Sequence, residues 1–457
     1  MAALRPRTAH GAPSASATHP TASATATATV PAPAPGDHPP DRPGAPAHQP
    51  SKARHMAGTY GRAVVRVLPA WIAARVLVVV SLILAHLVVT VVRPHNPAAV
   101  QRVHQGLLAW DGGWYAAIGG HGYAAAGTQA VRFFPGYPMA ARGLAWIPGI
   151  RVGTALVVIS NVCALAAMGA LLILVRHDLD DRNLARRSVW LMALAPSAYC
   201  LVMGYADAAL LLFSVVTVLG ARTGRWWWAA AAGLGAGLVR PVGVLLVVPV
   251  VIELWQSRRT ATTTGSTLGP DTANATITAP APAPATITAP GSGLGGWTAR
   301  GAAVLAPLAG MGAYLAWVGH QFGDPWLPLR IQQEQGHRGS VTVPLAAMGH
   351  TLASLAHGHH LGSALHIPWV LLCVVLLVVA YRRLPLSYAA LATAMLAVSL
   401  TSTNLDSFER YALGAFPLVV AASTLTSHRR VEVVVLVLSG LAMVGYAFLA
   451  FVGVVVP

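Results

Sequence analysis

Long apolar runs, separated by short stretches bearing arginine, organise this chain. A helix needs roughly 17 to 25 mostly apolar residues to cross a bilayer. Residues 76–92, 153–175, 301–320, 366–380 with its flank, and 431–456 each meet that requirement. Residues 188–220 and 226–255 are about 30 residues each, and each is interrupted near its middle, at Met203-Gly204-Tyr205-Ala206-Asp207 and at Val239-Arg240-Pro241. Proline removes a backbone donor and disfavours helical geometry in the residue before it, so the second interruption reads as a helix end. Both long runs are therefore read as pairs of short helices.

Composition agrees with an all-α polytopic membrane protein. Of 457 residues, 55% are hydrophobic and only 10% charged, a balance foreign to soluble globular domains. A net charge of +16 raises nucleic acid as a partner, but the arginines lie between apolar runs rather than on one soluble face, which argues against it. They read instead as topology signals. Arg176, Arg182, Arg186 and Arg187 form one basic loop; Arg222 with Arg225, Arg258 with Arg259, Arg382 with Arg383, and Arg429 with Arg430 form the others. If all face the cytoplasm, an even number of crossings separates each from the next, and splitting both long runs satisfies that condition throughout. The expectation is about eleven crossings, with the N terminus inside and the C terminus outside, in a multi-pass protein of the cell membrane. On that topology the loop 94–150, the 203–207 break, Arg240, the loop 321–365 and the segment 406–411 all fall on the outer face.

Residues 1–60 are rich in Ala, Thr, Pro, Ser and His and read as a disordered cytoplasmic tail. A low-complexity linker is expected over 258–297, where Ala275-Thr-Ile-Thr-Ala-Pro280 recurs as Ala285-Thr-Ile-Thr-Ala-Pro290, and it divides a membrane region at 61–257 from another at 298–457. Cys163, Cys200 and Cys373 lie in apolar stretches without CxxC spacing, which implies neither a disulfide framework nor a zinc site.

The first outer loop carries the chemistry of most interest: Trp110-Asp111-Gly112-Gly113-Trp114-Tyr115, then Gly122-Tyr123, then Arg132 and Phe133-Phe134-Pro135-Gly136-Tyr137-Pro138. A carboxylate beside a membrane is costly unless it is used. Asp111 fits two uses, capping a short interfacial helix or catalysis, and the second is preferred. The aromatic run serves equally as an interfacial belt and turn. Tyr205 and Asp207 fit a helix cap, while Arg240, in an otherwise apolar run, calls for a buried anionic partner in preference to snorkelling. Gly323-Asp324-Pro325-Trp326 followed by Gln332-Gln333 reads as a turn into an amphipathic piece. His337, His350, His357, His359, His360 and His366 lack fixed ligand spacing, so no metal is expected. Asp406, Glu409 and Arg410 cluster before Tyr411, where simple surface pairing is the plain alternative.

These residues resemble a family. The first-loop pattern is similar to that of PIG-V-type mannosyltransferases, which add the second mannose of the GPI anchor, and of their bacterial relatives. Ala195-Pro196-Ser197 through Tyr205-Ala206-Asp207, Leu238-Val239-Arg240-Pro241-Val242-Gly243, Gly323-Asp324-Pro325 with Gln332-Gln333, and Phe408-Glu409-Arg410-Tyr411 with Phe416-Pro417 resemble further elements of that family. The chain departs from it at Gln335-Gly336-His337, where the family has a tryptophan. The resemblance covers most of residues 70–425.

It implies a GT-C-type glycosyltransferase fold with short interfacial helices in the loop 94–150. It also implies inverting transfer of mannose or another hexose from a polyprenyl-phosphate donor on the extracytoplasmic face. Asp111 is then the expected base, with Asp207 its rival. Arg240 or Arg410 would hold the phosphate. Trp110, Trp114, Tyr115 and Tyr137 would meet the sugar or isoprenoid, with Arg132, Tyr205, Gln332 and Glu409 completing the substrate-binding set. No cofactor or divalent metal is expected. The acceptor is left open among lipids, glycans and proteins, and a small membrane partner subunit is implied by the eukaryotic relatives. The competing reading is a transporter or flippase for a lipid-linked sugar, with Tyr205, Asp207 and Arg240 lining its path. Matched internal repeats would favour that reading, and the sequence shows none.

Overall fold

The computed structural model describes residues 52–92, 96–266, 294–334, 337–343, 346, 349, 366–403, 405 and 407–456. Its architecture is helical; among these residues the only β feature is an isolated antiparallel bridge between Val341 and Ser402. Six helices are long and apolar enough to cross a membrane, over Gly58–Val91, Val152–Leu179, Pro241–Arg258, Gly295–Phe322, His366–Arg383 and Arg429–Val452. Their exteriors carry valine, leucine and isoleucine to the outside, as a helix facing lipid does.

In chain order the α-helices begin with α1 (Lys52–Leu87), which continues as a π-helical turn (Val88–Val92). The first loop holds four short helices, α2 (Pro97–Gln105), α3 (Asp111–His121), α4 (Tyr123–Ala126) and α5 (Gly136–Leu144). Then come α6 (Val152–Leu179), α7 (Arg182–Leu194), α8 (Asp207–Arg222), α9 (Trp226–Val239) and α10 (Val247–Ser266). The second half holds α11 (Leu294–Phe322), α12 (Leu327–Gln332), α13 (His366–Arg383), α14 (Leu386–Leu400), α15 (Phe408–Gly414), α16 (Phe416–Leu425) and α17 (Arg429–Val452).

The expected boundaries move in two places. Residues 52–60, assigned to the tail, belong to α1, whose start Lys52-Ala-Arg-His-Met-Ala57 is built of helix formers. The ends of the expected linker are helical too, since α10 runs to Ser266 and α11 starts at Leu294. The rest of the expected tail and linker, 1–51 and 267–293, lies outside the described residues.

Both double-length runs are broken. Between α9 and α10, Arg240 is extended (φ −153°, ψ 148°) and Pro241 opens a 3-10 turn, Pro241–Leu246. That turn folds back so closely that a Cβ on Gly243 would collide with the backbone of Ala236 and Gly237, so the return past Arg240 depends on a glycine there. The other break is longer than the sequence suggested: helix is lost from Ala195 to Ala206, apart from a 3-10 turn at Ala198–Leu201.

Irregular backbone inside an apolar bundle must have its polar groups satisfied. Asn161 and Arg75 do this for Val202 and Leu201 (2.9 and 3.4 Å), Ser160 adds a bond to Leu201 (3.3 Å), and the Gly204 N–H donates to Leu107 (2.8 Å). Arg75 is itself held by the Asn161 side chain (2.8 Å), so α1 and α6 clamp the break together. This fixes where α8 starts, and with it the position of Asp207.

Candidate active site

Four charged residues from four parts of the chain meet at one end of the bundle. Asp207 is the first residue of α8, Arg240 the extended residue after α9, Asp111 the first residue of α3, and Arg410 lies in α15. They alternate in sign. Arg410 Nη2 is 2.6 Å from Asp111 Oδ2 and 2.9 Å from Asp207 Oδ2, its Nε also donates to Asp207 Oδ2 (2.9 Å), and Arg240 Nη1 pairs with Asp207 Oδ1. Arg410 lies over the Tyr205 ring at 4.6 Å, and the Tyr205 hydroxyl donates to the Ala109 carbonyl (3.1 Å).

Strained backbone precedes two members of this chain of charges, Asp111 and Arg410. Trp110 has φ 60° and ψ −121°, outside the usual range for an L residue, and its indole donates to the Ala450 carbonyl (2.9 Å) while Arg102 covers its ring at 4.9 Å. Ser407, just before α15, is left-handed at φ 65°. Strain of this sort needs surroundings that impose it, and it is concentrated at functional sites. Here it aims the residue that follows Trp110, Asp111.

The four charges back a cleft of about 420 Å³, within the range of small-ligand sites. Asp111, Arg132, Arg240, Arg338 and Arg410 line it together with Trp110, Trp114, Tyr115, Gln332, His337 and Tyr411. Asp207 does not. It sits behind the two arginines, 8% exposed against 25% for Asp111, so among the described residues only Asp111 offers a carboxylate to the cleft. Among the described residues, four guanidinium groups against two carboxylates give the site a surplus of positive charge, suited to an anion.

One wall is aromatic. Trp114 stacks on Phe133 (5.9 Å, 20°), and Arg132 lies over both rings. Opposite, Arg240 and Arg338 lie 5.5 and 4.8 Å from the centre of the Tyr411 ring. At the rim Arg132 Nη1 is 2.7 Å from His337 Nδ1, and His337 Nε2 is 2.8 Å from Gln129 Oε1. An arginine only donates, so the imidazole accepts at Nδ1 and carries its proton on Nε2.

No family model matches this chain, and no curated protein matches it.

Three expected substrate-binding residues do not reach the cleft. Tyr137 is buried and donates to the Leu156 carbonyl (2.7 Å); Tyr205 is buried beneath Arg410. Glu409 points away, because neighbours on a helix diverge by about 100°, and its carboxylate meets His366 Nδ1 at 2.7 Å in the interior. Asp207 keeps a place in the cluster but not the exposed position a base requires. Burial raises the phenols of Tyr115 and Tyr137 well above their ordinary value, so both stay neutral and serve shape rather than proton transfer.

Arg338, Tyr411 and Ser407 line the cleft without having been anticipated. Charge did not single out Arg338, since Arg102, Arg132, Arg142 and Arg330 also fall in the expected outer loops. Of the histidines weighed for metal, His337 and His366 have the partners just described, and His350, His357, His359 and His360 lie outside the described residues, as does Asp406. Among the described residues no three His, Cys, Asp or Glu side chains group as metal ligands do.

Proposed function

We propose that this protein is a membrane glycosyltransferase of the GT-C type, moving mannose or another hexose from a polyprenyl-phosphate donor to an acceptor on the extracytoplasmic face. The observation that carries the reading is the cleft itself, which joins a surplus of arginine to one accessible carboxylate, Asp111, beside aromatic walls. A lipid-phosphate sugar brings one anionic group and one electrophilic carbon. The arginines suit the first and the carboxylate suits the attack on the second.

In this reaction Asp111 takes the proton of the acceptor hydroxyl as its oxygen bonds to the anomeric carbon. The bond from that carbon to the phosphate oxygen breaks, and polyprenyl phosphate leaves with the electron pair. Arg240 and Arg410 stabilise the charge growing on the phosphate, a task for which the guanidinium fork is well shaped. Asp207 is a positioning residue: paired to both arginines, it holds them side by side and stays out of the proton transfer. Trp110 and Trp114 bound the sugar.

The eleven-crossing topology belongs to this reading. Among the described residues six helices are long enough to cross alone, and in this reading the shorter α7, α8, α9, α14 and α16 would cross together with the irregular segments beside them, which would put the basic loops and the cleft on opposite sides. Membranes bearing the chain, given labelled polyprenyl-phosphate mannose or its other hexose counterparts, are expected to move label onto an acceptor. Labelled donor that crosses the bilayer intact, with no transfer, would replace the enzyme by the flippase.

A further inference from the structure

At the other end of α9, about 20 Å from Arg240 by the 1.5 Å helical rise, a second polar group is built among aromatic rings. Trp226, the first residue of α9, is only 6% exposed, and its indole Nε1 is buried without a hydrogen-bond acceptor. Arg300, nearly two turns into α11, has a buried Nε in the same condition. The two belong together: the Arg300 guanidinium is 5.8 Å from the Trp226 ring and 5.5 Å from the Trp297 ring, and Arg258, midway along α10, covers the Trp297 ring at 4.7 Å.

Buried N–H groups are almost always satisfied in folded proteins, so two on neighbouring side chains call for an acceptor that both could share. The nearby carboxylate on α10, Glu253, does not fill that role, being bonded to Arg222 at 3.0 and 3.2 Å. Two observations identify the kind of acceptor. The surrounding charges are arginines, which favours an anion with several oxygens. The surroundings are also lipid-like: Trp227, Trp228, Trp255 and Trp297 are about half exposed or more, at the ends of helices apolar enough to span a bilayer or half of one. Tryptophan is enriched where lipid headgroups meet the hydrocarbon. A small apolar cluster of Ala221, Ala229, Ala230, Val250, Ala299 and Ala303, separate from the main core, packs the helix ends that carry the donors.

We infer that Trp226 and Arg300 form a binding site for the phosphate of an anionic membrane phospholipid, separate from the charged cleft. The indole Nε1–H and the guanidinium Nε–H donate to phosphate oxygens, Arg258 adds charge, and the exposed tryptophans flank the glycerol and first methylenes.

Native mass spectrometry of the full-length protein, with phosphatidylglycerol, phosphatidylcholine or inorganic phosphate added in turn, tests this. One phosphatidylglycerol is expected to be retained in preference to phosphatidylcholine. Trp226→Phe, which keeps the ring and removes the donor, and Arg300→Lys, which keeps the charge and removes Nε–H, should each lower its affinity roughly fivefold, the worth of one hydrogen bond. Arg225→Gln removes an exposed arginine one residue away and should change affinity less than about twofold. Equal losses in Arg225→Gln and Arg300→Lys would reduce the site to diffuse attraction by a basic surface. Retention unchanged in both Trp226→Phe and Arg300→Lys would remove it, and displacement of the lipid by millimolar inorganic phosphate would make it a free-phosphate site.

Discussion

Helix α8 has a buried ion network at each end, and the two networks differ in a way that separates chemistry from architecture. At its start Asp207 meets Arg240 and Arg410, and through Arg410 reaches Asp111. At its end, about 22 Å away along the helix, Arg222 meets Asp178 at 3.0 Å and Glu253 at 3.0 and 3.2 Å, with Tyr388 donating to Asp178 (2.6 Å). Both networks join distant helices, and both are costly to bury. Of the two, the first opens on the cleft, which Arg132 and Arg338 also line, while the second ties α6, α8, α10 and α14 together with its carboxylates fully engaged. Burial of charge is therefore no mark of a site by itself. A site also needs a charge imbalance and a face open to a ligand.

The comparison can be broken most sharply at Asp111. Asp111→Asn should lower transfer by roughly 10²- to 10⁴-fold, the usual worth of a general base, with little change in the thermal midpoint. Wild-type turnover in that variant would make the open network as purely architectural as the closed one. Arg222→Leu should do the reverse: taking the arginine they share from buried Asp178 and Glu253 costs about 3–5 kcal/mol of stability, while activity per folded molecule holds. Denaturation curves beside specific activity separate the two.

Smaller effects sharpen the assignment. Arg240→Ala should weaken binding of the polyprenyl-phosphate sugar by about 10- to 100-fold, as expected for a charge-assisted bond, and unchanged affinity in a titration would take the phosphate away from Arg240. Tyr388→Phe removes a single bond to Asp178 and should cost about 1 kcal/mol with no change in transfer. A larger loss of activity than of stability there would tie the closed network to the chemistry.

Much of the candidate site was legible because charge in an apolar run stands out. Asp207 and Arg240 stand out on that ground, Asp111 as a carboxylate in a loop beside the membrane, and Arg410 through the family resemblance, while the break at Arg240 follows from Pro241. Their distinct jobs were not legible. Asp207 competes with Asp111 on paper, and only the tertiary structure shows it buried behind two arginines. Glu409 and Arg410 look like one unit in sequence, yet one helical residue of rotation sends Glu409 to His366 and Arg410 to the cleft. Arg338 and Tyr411 escaped because cation–π partners leave no periodic trace.

The order of residues by itself determined the helical membrane-like architecture, the two breaks and the list of expensive charges, since each depends on apolar length, on proline and on local polarity. The tertiary structure alone decided which carboxylate faces the cleft. Asp207 and Arg410 are 203 residues apart, and the pairing that neutralises one acid and leaves the other accessible depends on a few ångströms between side chains, not on their spacing along the chain.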